Sequence, residues 1–507
     1  MPNARQQKRV GRQSRWKLFG HGRHGRFPSA PPSAKVRTMH LKLSGIARCV
    51  ISCCVLPAGT LAAFAHASER GHVLLLPTGY YLMGGAMAVV LSFAILALAP
   101  PGALLRAGAW RLPLWRYRPF GKAAVSTLSF AAFGFLIFVG WAGSRDPLVN
   151  LLPLTVWTLL WLCLTLAQGV FGFWWPWLNP WYGPWRIWTA MTSRSQPVLI
   201  LPNPVGKWPA FVLLFAFAWF ELVSLAPEDP GNLAKVVAAY WLFTFVCIIL
   251  FGYAAWMERG EFLSVFFRLV SRLAVFAAGA GRLWLVLPGA KLRHAPVLPA
   301  SGVAFVLLAL AYISFDGLMR TFAWLQLIGV NPLEFPGRSA VVVQNTLGLA
   351  GTTLLFAALF LTAILAGESL AGAKGTARAA GALVWSLTPI ALAYHFSHYL
   401  VVMLVNGQYA LVAASDPLAR GWNLFGTADM PVRAGVTLGA DAAWVIWNAQ
   451  AAAIVGGHVL AVILAHATAY RLYGSARRAA LSQIPMAILM IFYTVFGLWL
   501  LSTPTAG

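Results

Sequence analysis

The sequence predicts an all-α, polytopic transmembrane helix bundle, with about ten spans after an N-terminal signal segment. Of its 507 residues, 59% are hydrophobic and only 10% are charged, and the mean hydropathy is +0.71. A soluble domain carries about 25% charged residues. The apolar residues also fall into runs of about 20 residues, the length that crosses a bilayer as a helix. The composition therefore predicts the lipid bilayer as a partner.

Positive charge is distributed in a way that is typical of membrane topology. The formal net charge is +25, and twelve of the 38 Lys and Arg residues lie before residue 50. Most of the others lie in short loops between apolar runs. A nucleic-acid-binding protein would gather such charge on one basic surface. The distribution therefore argues against nucleic acid as a partner.

The N-terminal 67 residues divide into two segments. Residues 1–38 are basic and rich in Ser, Pro and Gly, which predicts a disordered extension or a wrongly assigned start, with Met39 as the true one. Residues 39–67 have a positively charged beginning, an apolar stretch and small residues at the end, as in a signal peptide. The alternative is a retained first helix, which would be too short to span comfortably.

Two cleavage sites fit the small-residue pattern of the signal segment. Cleavage after Ala67 would leave Ser68 as the first residue. Cleavage after Ala65 would leave His66 at the N-terminus, where its amine and imidazole could chelate copper.

Residues 68–507 are interpreted as a single membrane domain. The apolar runs that we assign as spans cover residues 77–99, 123–141, 149–172, 209–226, 234–256, 302–320, 341–366, 383–405, 444–466 and 485–501.

The loops between these runs predict the orientation of the chain. A signal peptide places residue 68 outside, so that successive loops alternate between the two sides. The loops on the inside then hold 19 Lys and Arg residues, and the outside segments hold seven. Because positively charged loops stay in the cytoplasm, the sequence predicts a protein of the bacterial inner membrane with both mature termini on the periplasmic side.

Two of the predicted inside loops are more than linkers. Residues 171–188 contain six tryptophans and three prolines, which predicts an interfacial anchor or an aromatic wall for an apolar or cationic ligand. In residues 261–276, Arg268 and Arg272 are spaced on one helix face with apolar residues opposite. This pattern predicts an amphipathic helix on the membrane surface.

Polar side chains inside the apolar runs are the candidate functional residues, because polarity is costly in hydrocarbon. His395 and His398 lie three residues apart in the eighth run and share a helix face. His458 lies at a matching depth in the ninth run, and Asp316 lies in the sixth. We expect these four side chains to converge on one half-buried cavity that opens outward.

A metal site is one interpretation of this set. His395, His398 and His458 are the predicted ligands, because imidazole is a usual donor for zinc, copper and non-haem iron. Such a metal would activate water, with Asp316 and His458 as catalytic residues. A haem held by His395 and His458 is an alternative. The other alternative is that each histidine only donates a hydrogen bond to a neighbouring helix.

The longest outside segment, residues 406–441, follows the histidine-bearing run. Long loops in compact proteins are often lids or binding elements. We therefore expect this segment to cover the histidine cavity.

One set of segments is spread over nearly the whole mature chain: Ala65-His-Ala-Ser-Glu-Arg70, Asn179-Pro-Trp181, residues 262–276, Ser314-Phe-Asp-Gly317, Tyr394-His-Phe-Ser-His398, Ser415-Asp-Pro417, Trp422-Asn-Leu-Phe-Gly-Thr-Ala-Asp429 and Val455-Gly-Gly-His-Val459. Together they resemble the fenitrothion hydrolase-like family of bacterial integral membrane proteins. The resemblance implies hydrolysis of an apolar phosphotriester at its aryl ester bond. It assigns no catalytic residue.

The sequence thus predicts a membrane hydrolase of an apolar small molecule that uses a His-bound divalent metal, zinc or copper. The alternatives are a metal- or haem-binding membrane protein in copper handling or electron transfer, and a transporter that uses the same polar residues.

Overall fold

Ten long apolar helices make up most of the part of the chain that the structure describes. This computed structural model describes residues 78–98, 106, 108–116, 121–194, 196–279, 281–436 and 439–503. The predicted extension and signal peptide lie outside the described residues. The long helices are α1 (Thr78–Leu98), α2 (Lys122–Ala142), α3 (Leu151–Phe171), α4 (Trp208–Leu222), α5 (Pro230–Phe251), α6 (Ala300–Met319), α7 (Val342–Leu370), α8 (Thr388–Ser415), α9 (Ala440–Tyr473) and α10 (Ala476–Ser502).

The predicted all-α class is confirmed, and the chain is a multi-pass helical membrane protein by the length and composition of these helices. Each predicted apolar run falls on one of them. The clearest difference is at α8, which continues to Ser415 although its apolar run ends at residue 405. Hydropathy detects the apolar part of a helix and not its polar continuation beyond the hydrocarbon. The predicted lid is therefore shortened to the segment between Ser415 and Ala440.

Helix α6 lies at the centre of the bundle. Its spanning window is 89% buried inside the protein, whereas that of α1 is only 17% buried. Helices α4, α7, α8 and α10 all pack against α6. A helix enclosed on every side is expected to be apolar all round, so a carboxylate on α6 requires an explanation.

Helix α1 packs against α9 and α10, far away in the sequence. The Tyr81 hydroxyl donates to the Asn448 side-chain oxygen of α9, 3.1 Å away. At Gly85, an added Cβ would lie 3.3 Å from a methyl carbon of Val455 and closer still to Leu498. Glycine therefore lets α1 approach both helices closely, as small residues do in membrane bundles.

Helices α8 and α9, which carry His395, His398 and His458, pack against each other. The Ser397 hydroxyl donates to the Gln450 backbone oxygen, and the Gln450 amide donates back to the Ser397 backbone oxygen. A Cβ at Gly457 would lie 2.9 Å from the carbonyl oxygen of Pro389. Gly457 thus lets α9 approach α8 closely, whereas the neighbouring Gly456 faces open space.

Short helices and a small sheet connect the long helices. A three-stranded antiparallel sheet in the order β1-β3-β2 is formed by β1 (Arg111–Arg116), β2 (Phe276–Gly279) and β3 (Arg282–Val286). The sequence analysis predicted no strand, because these segments are short and lie in basic loops. Hydrogen bonds between β1 and β3 require the α1–α2 and α5–α6 loops to lie on the same side of the bundle. The remaining short helices are Trp175–Leu178, Tyr182–Thr192, Tyr253–Arg259, Phe262–Val270, Phe322–Leu327 and Thr376–Leu383, with 3₁₀ turns at Asn203–Val205, Ala290–His294, Pro332–Glu334, Arg338–Val341 and Val384–Leu387.

The helix Phe262–Val270 does not lie on the membrane surface, contrary to the sequence expectation. Every residue in it is buried except Arg268, which is half-buried. It packs against α3, α4, α8 and the helix Trp175–Leu178. The amphipathic pattern indicated one apolar face correctly, but the tryptophan-rich loop covers the other face.

The carboxylate of Glu261 holds this buried helix in place. Its two oxygens accept hydrogen bonds from the backbone amides of Leu263 and Ser264 and from the side chains of Tyr240 and Trp175. Burial raises the pKa of the Glu261 carboxyl above its usual value, and the hydrogen bonds from Ser264 and Tyr240 oppose that rise. Glu261 therefore caps the helix and also accepts hydrogen bonds from side chains of two other segments.

The tryptophan-rich segment contains both exposed and buried rings, and its expected role as a wall for an apolar or cationic ligand stays a prediction. Trp175 and Trp181 are buried, whereas Trp174 and Trp188 remain exposed at the surface. The exposed rings fit an interfacial anchor. The buried rings form an internal wall against Phe267 and Tyr240.

Orientation can be tested with reporters fused to the C-terminus. We expect alkaline phosphatase fused after residue 507 to be active and green fluorescent protein at the same position to be dark, because both mature ends are predicted outside. The opposite pair of results would invert the predicted topology. Reporters fused in the α9–α10 turn, at Gly474, provide the control. At this position we expect alkaline phosphatase to be inactive and green fluorescent protein to fluoresce.

Replacement of Glu261 tests the cap. Glu261→Ala removes the N-cap and leaves the buried hydroxyl of Tyr240 without its acceptor, so we expect the free energy of unfolding to fall by about 2–4 kcal/mol. Thermal denaturation in detergent measures this loss as a lower Tm. Glu258→Ala, three residues earlier at an exposed position, is the matched control and should shift Tm little. Equal Tm values for the two variants would contradict the assigned role.

Candidate functional site

Asp316 on α6 forms the centre of the candidate site with two side chains of α8. The His398 Nε2 atom lies 2.9 Å from Asp316 Oδ2, and the Tyr399 hydroxyl donates to the same oxygen over 2.6 Å. The His398–Asp316 contact is the one ion pair within 4.0 Å among the residues that the structure describes. We call these three residues the Asp–His–Tyr cluster.

The environment of the cluster explains why the carboxylate needs both partners. Asp316 is 7% exposed and lies on the fully enclosed helix α6. An ionised carboxylate without partners in such a place would cost several kcal/mol. Charge-assisted hydrogen bonds from an imidazole and a phenol offset much of that cost.

The contact with Asp316 identifies one nitrogen of His398 as a donor. An ionised carboxylate oxygen can only accept, so the Nε2 atom of His398 donates its hydrogen to Asp316. The His398 side chain is 23% exposed, compared with 9% for that of Asp316. Among the described residues, the hydrogen bond of this imidazole thus engages Nε2, and none engages Nδ1.

Aromatic rings enclose the imidazole of His398. The Tyr394 ring stacks parallel to it at a centroid distance of 6.0 Å, and the Tyr399 ring meets it edge-on at 4.7 Å. Gly317, next to Asp316, makes room for this arrangement, since a Cβ there would lie 2.9 Å from the Tyr394 hydroxyl. The Tyr394 hydroxyl is buried without a hydrogen-bond partner among the described residues.

His395 touches the cluster through the Tyr399 ring, which meets its own edge-on at 5.0 Å, but its hydrogen bond goes to another helix. Its Nε2 atom lies 3.2 Å from the backbone oxygen of Trp161 on α3, and its ring meets the Trp161 ring edge-on at 5.3 Å. Trp161 belongs to a π-helical stretch, Leu154–Leu164, inside α3. The Nδ1 atom of His395 is buried and has no partner among the described residues.

The rings of Tyr493 and Tyr394 separate His458 from His398. The His458 Nδ1 atom donates to the Ile454 backbone oxygen of its own helix over 2.8 Å, and its Nε2 atom is buried without a partner in the described part of the chain. Its ring packs against Tyr493 of α10 at 5.8 Å. The Tyr493 hydroxyl is hydrogen-bonded to Ser314, and the rings of Tyr493 and Tyr394 lie 6.3 Å apart.

The predicted metal ligands are thus distributed over three neighbourhoods. His395 faces α3, His398 faces α6, and His458 faces α10. Within the described ranges, no three His, Cys, Asp or Glu side chains come together closely enough to hold a metal ion. The described residues as arranged do not fit a three-histidine centre, and the haem between His395 and His458 is untested. Both sites stay predictions, and no mechanism is derived through them.

The polar loop after α8 lies against the end of its own helix. The Ser415 hydroxyl accepts hydrogen bonds from the backbone amides of Phe425 and Thr427, and the Arg433 backbone is tied to Gln408 of α8. The hydrogen bonds described for this loop do not reach the Asp–His–Tyr cluster. The expected lid therefore stays a prediction.

A small apolar cavity of about 50 Å³ lies between α6, α7, α8 and α10. Its lining includes Leu310, Phe356, Ile390, Met490 and Tyr493. Because Tyr493 packs near Tyr394, and Tyr394 stacks on His398, two aromatic rings separate the cavity from the cluster.

Sequence reasoning missed the tyrosines of this site. Tyr399 directly follows His398, and Tyr394 precedes it by four residues and therefore lies on the same helix face. Spacing could have placed Tyr394 beside His398. Nothing local shows that Tyr399 turns toward α6, because that depends on which helix lies next to α8.

No protein-family model, curated protein or solved structure matches the chain.

Proposed function

We propose that the protein is a membrane hydrolase that uses His398 as a general base, held by Asp316, on an apolar phosphotriester. The observation that carries this proposal is the part-buried Asp316–His398 pair, in which the second imidazole nitrogen has no hydrogen-bond partner among the described residues. In serine hydrolases a carboxylate holds one nitrogen of histidine so that the other accepts a proton. The pair in this protein has the same division of roles.

The proposed reaction needs only water as a co-reactant. His398 Nδ1 takes a proton from a water molecule while the water oxygen forms a bond to phosphorus. The phosphorus–aryloxide bond breaks, and the aryloxide leaves and receives the proton back from the imidazolium. The products are a phosphodiester acid and a phenol, so that atoms and charges balance. Asp316 stabilises the imidazolium during the step.

Substrate access is expected from the lipid. An apolar phosphotriester dissolves in the bilayer, and the cavity between α6, α7, α8 and α10 offers an apolar volume inside the bundle. Movement of the Tyr493 and Tyr394 rings would connect this cavity with His398. The resemblance to fenitrothion hydrolase-like proteins supports an aryl phosphotriester as the substrate class.

The decisive experiment measures phenol release from an aryl dialkyl phosphotriester by protein purified in detergent. We expect His398→Ala and Asp316→Asn each to lower kcat/KM by about 10²–10⁴-fold, as for loss of a general base. His466→Ala, another buried histidine of α9, is the control and should retain the rate. Full activity of His398→Ala at normal abundance would refute the proposal.

His458→Ala separates the general-base proposal from the metal hypothesis. A site of His395, His398 and His458 would lose metal and turnover when any one of the three is replaced. The general-base proposal leaves turnover of His458→Ala within a few-fold of the parent. Metal analysis of the same preparations gives a second readout. Stoichiometric zinc or copper that disappears in His458→Ala, together with lost activity, would favour the metal.

Proton-coupled transport is a second candidate, and one observation favours it. Glu221 near the end of α4 and Glu368 near the end of α7 each have a buried carboxylate oxygen without a partner among the described residues. Successive spans alternate in direction, so these two ends belong to opposite sides of the bundle, with Asp316 on α6 as a third acid. Titratable groups spread across a membrane are typical of proton pathways.

Proteoliposomes with an internal pH-sensitive dye test the second candidate. A transporter would acidify the lumen when a proton gradient and a substrate are imposed, and Glu368→Gln would abolish that signal. A hydrolase would give the same dye signal as empty vesicles. If the proteoliposomes show no proton uptake beyond that of empty vesicles and the protein releases phenol, the results support the hydrolase and not the transporter.

A further inference from the structure

A second cavity, away from the Asp–His–Tyr cluster, lies at the loop end of the bundle. It has a volume of about 250 Å³ and is formed by the first residue of α2 and by the helices Trp175–Leu178, Tyr253–Arg259 and Phe262–Val270. We call it the basic pocket. Its lining includes Lys122, Phe173, Trp175, Tyr253, Glu258 and Arg268.

Two cations of the basic pocket have aromatic rings as neighbours and no carboxylate partner. The Lys122 Nζ atom lies 3.7 Å from the centroid of the Tyr182 ring and 4.9 Å from that of Tyr253. The Arg268 Cζ atom lies 5.3 Å from the Phe173 centroid, and its Nε atom is buried without a hydrogen-bond partner in the described ranges. Neither cation forms an ion pair within 4.0 Å among the described residues.

The two nearby carboxylates do not compensate for these charges. Glu261 is fully buried, and its oxygens already accept from Leu263, Ser264, Tyr240 and Trp175. Glu258 lines the pocket but is exposed and forms no ion pair.

More positive charge surrounds the pocket. Burial and the neighbouring Arg268 lower the pKa of the Arg272 guanidinium, whose Cζ atom lies 5.0 Å from the Trp385 ring centroid. Arg259 donates to backbone oxygens of Leu201 and Pro202 close by. A half-buried guanidinium with a free donor and no anion is costly, and an anion from outside would remove that cost.

Position and lining indicate the type of anion. The pocket opens on the side where β1 and β3 join two basic loops, and exposed tryptophans of the same tryptophan-rich segment lie nearby. Tryptophan and basic residues gather at the headgroup layer of membranes. Arg and Lys bind phosphate oxygens with charge-assisted hydrogen bonds.

We propose that the basic pocket binds a phosphate-bearing anion through Lys122 and Arg268, with the headgroup of an anionic phospholipid as the expected source. Free inorganic phosphate presents the same oxygens to these two side chains. The proposal is independent of the hydrolase, because the pocket shares no residue with the Asp–His–Tyr cluster.

Delipidated protein in a neutral detergent provides the test. We expect mixed micelles with phosphatidylglycerol to raise Tm, and those with phosphatidylcholine to have a much smaller effect. In Lys122→Gln/Arg268→Gln, the apparent Kd for phosphatidylglycerol should rise about tenfold or more, since two charge-assisted contacts are lost. Arg186→Gln/Arg282→Gln, which removes two exposed arginines, is the matched control and should keep the parent affinity.

The two sources of phosphate are distinguished in a parallel titration. If millimolar inorganic phosphate alone raises Tm of the parent but not of the pocket variant, the site takes free phosphate, and the anion assignment stands. If neither ligand shifts Tm, or if the pocket variant responds like the parent, the proposal is overturned. Should the double variant fail to fold, Lys122→Gln alone must weaken binding several-fold, and Lys122→Arg must restore it.

Discussion

The carboxylate of Asp316 is the constraint on which the centre of the bundle depends. It lies on α6, the most deeply buried of the described long helices, where a charge without partners would be costly. Both partners come from α8, and both contact the same oxygen. The rotation of α8 and its distance from α6 are therefore fixed by two hydrogen bonds. Gly317 adds to this constraint, because only a residue without a side chain leaves room for Tyr394.

The same arrangement shows how far the sequence could predict the molecule. Hydropathy located the long helices because the free energy of transfer to lipid is a local property of about 20 residues. It also identified Asp316 and the histidines, since polar residues stand out in apolar runs. The pairing of these residues was not visible. His395 and His398 share a helix face, yet one contacts α3 and the other contacts α6, because α8 lies between both helices.

A second buried carboxylate organises the opposite part of the molecule in a different way. Glu261 lies outside the long helices and accepts from the backbone of one short helix and from side chains of two other segments. Periodicity alone predicted a surface helix there, since it records an apolar face but not what covers the polar one. The result is a folded layer of loops with its own cavity, whose buried side chains share one apolar core with the spans.

The contact between α1 and the pair α9 and α10 has a consequence for biosynthesis. Helix α1 is made first among the described helices, but the partners that fill the space beside Gly85 and Tyr81 leave the ribosome more than 350 residues later. At about 5–20 residues per second, α1 must wait tens of seconds in the bilayer or beside the insertion machinery before it can dock. The last step of assembly is then the docking of α1 against α9 and α10. Chains that terminate before α9 would leave α1 without these partners and exposed to membrane quality control.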